Sequence, residues 1–281
     1  MPRLSAAVLL SCLAACCVAA PAWADLMLYP TRVVLESRDR AAEVQLVNRG
    51  TRPETYRIRL VNRRMSDSGD IVDAPDAQPG EQPAEQMLRY SPRQVMLQPG
   101  VAQTVRIALR KPAGLAAGEY RSHLQFDRVP DATGPANLET VAEPDQGQIA
   151  IALQALIGAS IPVIVREGAT SAQVTLDALH LQTAEPPGAA PVLHFEMRRS
   201  GNRSVYGDLV ASFTPAGGGA AQEVGKVSGV AVYVPNPLRQ ARLALQLPAG
   251  GPWPGGTLKL RYLERPDAGG KLLAAAELVL R

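Results

Sequence analysis

An alternating apolar pattern in residues 147–166 constrains the fold of this chain more than any other feature. The odd positions from 149 to 161 are all apolar, whereas the even positions between them are small or polar, apart from Leu156. Because side chains of a strand point alternately to opposite faces, the pattern predicts one long strand with an aliphatic row on one face. An ordinary strand has about five or six residues, so either a long, twisted core strand or a second partner must cover the rest of this row. The row is Ile149, Ile151, Leu153, Ala155, Ile157, Ala159 and Ile161.

The N-terminus predicts an export signal covering residues 1–24. Arg3 precedes an apolar segment from Leu4 to Ala20, and Ala22-Trp23-Ala24 is a small-residue cleavage site before Asp25. The apolar run is shorter than the roughly 20 residues that a membrane span requires. A second interpretation stays open, because residues 13–16 also have the form of a lipoprotein signal that would leave a lipidated Cys16.

The three cysteines, Cys12, Cys16 and Cys17, all lie within the predicted signal. The exported chain therefore has no disulfide to stabilise it, although it would enter an oxidising compartment. The formal net charge is only +3 and no block of Lys or Arg occurs, so we expect no nucleic-acid partner.

Frequent turn residues predict an all-β chain of two immunoglobulin-like sandwiches. The 24 Pro and 24 Gly residues separate short runs rich in Val, Leu and Ile, and long runs with helical periodicity are missing. We predict a first domain over residues 25–167 and a second over 168–281. One predicted strand, Tyr120–Val129, alternates Tyr120, Leu124 and Phe126 on a core face with Arg121, His123 and Gln125 on a face expected to be wet.

The sequence contains no recognisable catalytic motif. His123, His180 and His194 lie in separate segments without metal-ligand spacing, so we interpret them as solvated or structural residues. A nucleophile elbow, a phosphate-binding loop and a dinucleotide-binding motif are also missing from the sequence. We therefore predict a protein that is not an enzyme and that has no cofactor and no metal.

Four stretches together resemble the PapD-like periplasmic chaperones of the chaperone-usher pathway. The resemblance covers the exported chain in order and is denser in its first half. The matching pieces are Thr31-Arg32-Val33, Gln98-Pro99-Gly100 followed by Gln103–Arg106, the stretch Leu115–Arg121, and the long alternating strand that ends at Arg166.

The resemblance implies a periplasmic protein with its two sandwiches in an L-shaped arrangement. Such a chaperone binds pilin subunits by lending them a strand and delivers them to an outer-membrane usher, without nucleotide hydrolysis. An exposed donor edge also allows self-association. The resemblance assigns the donor role to Ile149, Ile151, Leu153, Ala155 and Ile157, while we expect Ile161 and Val163 to lie in the protein's own core.

The family anchors the C-terminal carboxylate of the subunit with an Arg on the first strand and a Lys on the last strand of the first domain. Arg32 matches the Arg, and a guanidinium suits a carboxylate because its forked donors bind both oxygens. Pro162 stands where the family has its Lys. The resemblance therefore implies a divergent member in which Ser160 or another group replaces that cation.

The resemblance also implies a charge triad between the two domains, formed by Glu119, Arg166 and Asp267. An alternative function stays open at this level, because a fold does not fix a function. In that alternative the protein is an exported or lipid-anchored structural or adhesive tandem sandwich.

Overall fold

A computed structural model describes residues 26–130, 158–182, 190–246 and 255–280. Nine of the first eleven strands form a sandwich of a four-stranded sheet, in the order β1-β3-β9-β7, and a five-stranded sheet, in the order β2-β11-β10-β4-β8. The hairpin β5-β6 extends from β4. The strands are β1 Leu26–Tyr29, β2 Val33–Leu35, β3 Ala41–Asn48, β4 Glu54–Val61, β5 Arg63–Met65, β6 Ile71–Asp73, β7 Leu88–Ser91, β8 Gln94–Leu97, β9 Ala102–Leu109, β10 Gly118–Val129 and β11 Gly158–Glu167.

The second sandwich contains the seven remaining strands. Its sheets have the orders β12-β13-β16 and β15-β14-β17-β18. The strands are β12 Ala172–Gln182, β13 Val192–Gly201, β14 Val205–Pro215, β15 Gln222–Val232, β16 Leu238–Ala244, β17 Gly256–Glu264 and β18 Leu272–Leu280. The described residues also include two short 3-10 turns, Glu85–Met87 and Pro266–Ala268.

The predicted all-β class with two sandwiches is confirmed. Within the described ranges no helix is long and apolar enough to cross a membrane. Each sandwich has its own core, with Val44 and Phe126 fully buried in the first and Leu193 and Tyr262 fully buried in the second. The domain boundary after residue 167 stays a prediction.

Residues 26–35 do not form one continuous strand but two strands that join different sheets. β1 pairs with β3 in the four-stranded sheet, whereas β2 pairs in parallel with β11 in the five-stranded sheet. Pro30 lies between them, and a proline cannot donate a ladder hydrogen bond. The crossing places residues 30–32 at the side of the sandwich where the two sheets part.

A tyrosine corner precedes the long strand β10. The Tyr120 hydroxyl donates to the Ala116 carbonyl at 3.0 Å, which is the bond that fixes this corner in many immunoglobulin-like sandwiches. It sets the start of β10 and hence the register in which Glu119, Arg121 and His123 face outward.

The outer face of the five-stranded sheet packs against the second sandwich. Met65 and Ile164 are buried and belong to the core cluster of the second sandwich. The Asn236 side-chain amide donates to the Met65 carbonyl at 2.9 Å, and the Gln240 amide donates to the Asp67 carbonyl at 2.6 Å. The hairpin β5-β6 thus connects the two sandwiches and positions the cleft between them.

Candidate functional site

The strand β11 has an open edge along its first half. It pairs with β10 over its whole length, from Asp127 opposite Gly158 to Gly118 opposite Glu167. On its other side β2 pairs only with residues 163–165. In the described part of the chain, residues 158–162 of β11 therefore have a strand neighbour on one side only. Unpaired backbone groups at such an edge are a template for another strand.

The side chains of this strand divide as the sequence predicts. Ile161 is 3% exposed and Val163 is fully buried, and both lie in the core cluster of the first sandwich. The expectation that these two residues serve the protein's own core is confirmed. The proposed donor residues Ile149, Ile151, Leu153, Ala155 and Ile157 lie outside the described residues, so their role stays a prediction.

Pro162 lies between His123 and Arg32 on the outer face of the sheet. It is the register partner of His123 on β10, and the parallel pairing of Val33 with Val163 places Arg32 beside it. A proline is tolerated here because this segment of β11 lies at an edge. Ser160, considered above as a substitute for the family's Lys, is half-buried opposite Gln125, two register pairs further from Arg32 than Pro162 is.

Arg32 lies in a cleft of about 640 Å³ between the sandwiches. Its guanidinium carbon is 4.6 Å from the centre of the Tyr206 ring and 5.4 Å from that of Tyr233, and its Nη1 donates to the Tyr233 hydroxyl at 3.2 Å. No carboxylate among the described residues forms an ion pair with it. Arg32 is therefore held mainly by the faces of two tyrosine rings, and some N–H groups of its guanidinium stay available to donate to an anion. Other cations lining the cleft are Arg166, Arg203, Arg265 and Lys271.

A second arginine, Arg121 on β10, packs on the same tyrosine. Its guanidinium carbon is 4.1 Å from the centre of the Tyr233 ring, and its Nη2 donates to the Arg63 carbonyl at 3.3 Å. The Nη1 atom is buried and has no hydrogen-bond partner among the described residues. Burial lowers the pKa of Arg121 from its ordinary value, with Tyr233 and Glu119 opposing the shift. A buried guanidinium nitrogen without an acceptor is costly, and an incoming anion would satisfy it. Arg121 does not line the cleft that holds Arg32; it lines a small pocket together with Glu81 and Glu119.

His123, beside Pro162, lies in the same cationic environment. It is 3% exposed, and no residue in the described part of the chain forms a hydrogen bond with its Nδ1. Burial, together with the charges of Arg121, Arg63 and Arg32, lowers its pKa to about 3, so the ring is neutral at physiological pH. The outward face of β10 was expected to be wet. That expectation is wrong for His123 and Gln125, which are both buried.

The depressed pKa of His123 predicts a loss of stability on acidification. His123 takes up a proton near pH 6.5 in the unfolded chain but only near pH 3 in the folded chain. The free energy of unfolding therefore falls as the pH drops from about 6.5 towards 3. From pH 7 to pH 5 we expect a loss of about 2 kcal/mol from this group. Urea unfolding at both pH values should show a smaller loss in His123→Gln, and an unchanged loss would contradict this prediction.

The predicted charge triad is formed in part, with a different third member. Arg166 Nε donates to Glu119 at 3.0 Å, and its Nη1 donates to Glu36 at 2.8 Å. Glu119 also accepts hydrogen bonds from the amide and hydroxyl of Ser204 in the second sandwich. Asp267 instead lies 3.8 Å from Arg265 and is mostly exposed. Asp267 lies within the 3-10 turn Pro266–Ala268 after β17, at the rim of the cleft. Glu36 directly follows β2, the neighbour of β11.

Sequence reasoning missed Arg121, Glu36 and the two tyrosines of this site. Arg121 is part of the matching stretch 115–121, but alternation alone assigned it to a wet face. Tyr206 and Tyr233 belong to the second sandwich, and no local pattern shows which residues of one sandwich contact the other. Within the described ranges no three residues of His, Cys, Asp or Glu are grouped to hold a metal ion.

No protein-family model matches this sequence, and no curated protein matches it either. Among solved structures, the chain is similar to the Pseudomonas aeruginosa CupB2 chaperone at 12% identity, covering 91% of this chain and 100% of that chain, with a TM-score of 0.44. It is similar to the E. coli chaperone DraB at 14% identity, with coverage of 91% and 96% and a TM-score of 0.43. It is also similar to a structure of the Salmonella enterica SafA pilin in complex with the SafB chaperone, at 14% identity, with coverage of 91% and 96% and a TM-score of 0.41. The two-sandwich fold follows from the strand pairing itself.

Proposed function

We propose that this protein is a PapD-like periplasmic chaperone that binds pilin subunits by donor-strand complementation and delivers them to an outer-membrane usher. One observation carries the proposal: the open edge at residues 158–162 continues directly from the apolar row predicted at 149–157. A client that lacks a strand would pair its backbone with this edge. The alternating aliphatic side chains would fill the groove left by the missing strand.

The cleft supplies a place for the chain end of the client. Arg32 lies beside the open edge and has no carboxylate partner among the described residues, and Arg121 lies on the same tyrosine with a buried, unpartnered Nη1. We propose that these two guanidiniums bind the C-terminal carboxylate of the pilin. In this arrangement the second cation is on β10, one strand away from the position that Pro162 occupies.

The strand-lending role is tested by co-expression with a pilin encoded in the same operon. Replacing both Leu153 and Ile157 by Asp should abolish the complex, because two carboxylates would have to enter an apolar groove without partners. Co-purification of a tagged pilin measures the complex. The matched control is Gln154→Asp, which changes the opposite face of the same predicted strand and should retain the complex. An unchanged yield with the double variant would overturn strand lending.

The exported N-terminus separates this proposal from the lipid-anchored alternative. A chaperone that shuttles between subunits and an usher has to diffuse freely, so its mature chain should begin at Asp25. Mass spectrometry of the protein purified from its native host measures this directly. A lipidated Cys16 would favour the structural or adhesive alternative.

A further inference from the structure

Two histidines of the second sandwich form a pair on the outer face of its three-stranded sheet. His180 on β12 and His194 on β13 are register partners. Their ring centres are 5.0 Å apart and their planes differ by 12°. His180 is exposed and His194 is half-buried at the surface. Fourteen positions separate them in the sequence, so only the strand pairing brings them together.

Each ring has one nitrogen held by an oxygen acceptor. His180 Nδ1 lies 3.3 Å from the Ala178 carbonyl, and His194 Nε2 lies 2.8 Å from Oε1 of Gln182. Because both oxygens only accept, these nitrogens carry the ring protons. The lone pairs are therefore on Nε2 of His180 and Nδ1 of His194. An outer hydrogen bond of this type is what orients imidazole ligands in metal sites.

The separation of the rings fits a shared metal ion. A metal at about 2.0–2.1 Å from one nitrogen lies about 3.2 Å from the ring centre, so two imidazoles at 90–110° have centres about 4.5–5.2 Å apart. The observed 5.0 Å falls in this range. The nearly parallel planes have to turn for both lone pairs to converge, so metal binding has to break the observed hydrogen bonds to Ala178 and Gln182 or reform them in the new orientation. The terminal torsion of histidine is broad enough to permit this turn.

In contrast to the prediction from sequence that the protein has no metal, we propose that His180 and His194 form a surface binding site for a divalent transition-metal ion. Imidazole nitrogens favour Cu²⁺ first, with Ni²⁺ and Zn²⁺ weaker, and water completes the coordination because no third protein ligand lies nearby in the described ranges. The inference is independent of the chaperone proposal, since the pair is on the outer face of a different sandwich.

The charged neighbours of the pair predict how the affinity can be changed. Arg242 on β16 is the register partner of His194 on the side away from His180, and its charge opposes a bound cation. Arg198 forms ion pairs with Asp177 and Glu196, so the charges of these two carboxylates contribute little attraction for a bound metal ion. Removing the charge of Arg242 should therefore strengthen metal binding.

Calorimetric titration of untagged protein with CuCl₂ tests the site. We expect one Cu²⁺ per chain, a loss of affinity of at least about tenfold in His180→Gln and in His194→Gln, and tighter binding in Arg242→Gln. Electron paramagnetic resonance of the copper complex should show two nitrogen ligands in the unmodified protein. All variants are at the surface, and unchanged thermal melting checks that they fold. Equal affinity in the double His variant, which retains His123, or no copper binding by the unmodified protein, would overturn the proposal.

Discussion

Replacing Glu119 by Ala is expected to lower the free energy of unfolding by about 3–5 kcal/mol. The Glu119 side chain is 1% exposed and neutralises the Arg166 side chain, which is 7% exposed. After the substitution, the one carboxylate that still pairs with Arg166 within the described ranges is that of Glu36, whose side chain is 57% exposed. The variant also removes the acceptor for the amide and hydroxyl of Ser204. Urea unfolding of the purified protein measures the loss.

The matched control for this prediction is Asp267→Ala. The Asp267 side chain is 83% exposed and lies at 3.8 Å from Arg265, and an exposed pair of this type contributes about 0.5 kcal/mol or less. If the two variants were equally destabilising, the pairing described here would be contradicted and the original triad would be favoured.

Replacing Arg32 or Arg121 by Ala is expected to weaken pilin binding by about 2–5 kcal/mol each, because each variant leaves a desolvated carboxylate with a single cation. Both guanidiniums pack on Tyr233, so their effects on affinity should be non-additive in the double variant. Surface plasmon resonance with a pilin from the same operon, whose missing strand is supplied by this protein, measures the affinity.

Two further variants separate anion binding from general damage. Lys271→Ala removes an exposed cation of the same cleft and should change the affinity by about 1 kcal/mol or less. Arg121→Lys keeps the positive charge but loses the planar guanidinium that can bind both carboxylate oxygens. Its affinity for pilin should therefore fall between those of the Ala variant and the unmodified protein. If Arg121→Ala bound pilin normally while Arg32→Ala did not, the second cation would have to be sought elsewhere.

Most of the strand positions could be predicted from the sequence because burial in a sandwich alternates with a period of two. The pattern of β10 placed Leu124 and Phe126 correctly in the core. The same pattern failed for His123, since alternation cannot distinguish solvent from a second sandwich as the cover of an outer face. The division of residues 27–35 into β1 and β2 depends on which sheet each half joins, which is a tertiary property.

The candidate site could be predicted only where it depends on local sequence. Arg32 was identified from its neighbours Thr31 and Val33 through the resemblance, and the structure places it in the cleft. Its stacking on Tyr206 and Tyr233 brings together residues about 170–200 positions apart in the printed sequence. No spacing rule in a single sequence reports such contacts, and for the same reason Glu36 was not recognised as the partner of Arg166.

Hydrogen–deuterium exchange of this protein, alone and in complex with a pilin from the same operon, tests strand lending most directly. Amides that join a new ladder exchange more slowly, because each exchange then requires the ladder to open. We predict strong protection of residues 149–161 in the complex, with residues 163–165, already paired on both sides, changing little. Equal exchange of residues 149–161 in the free and bound protein would contradict the account.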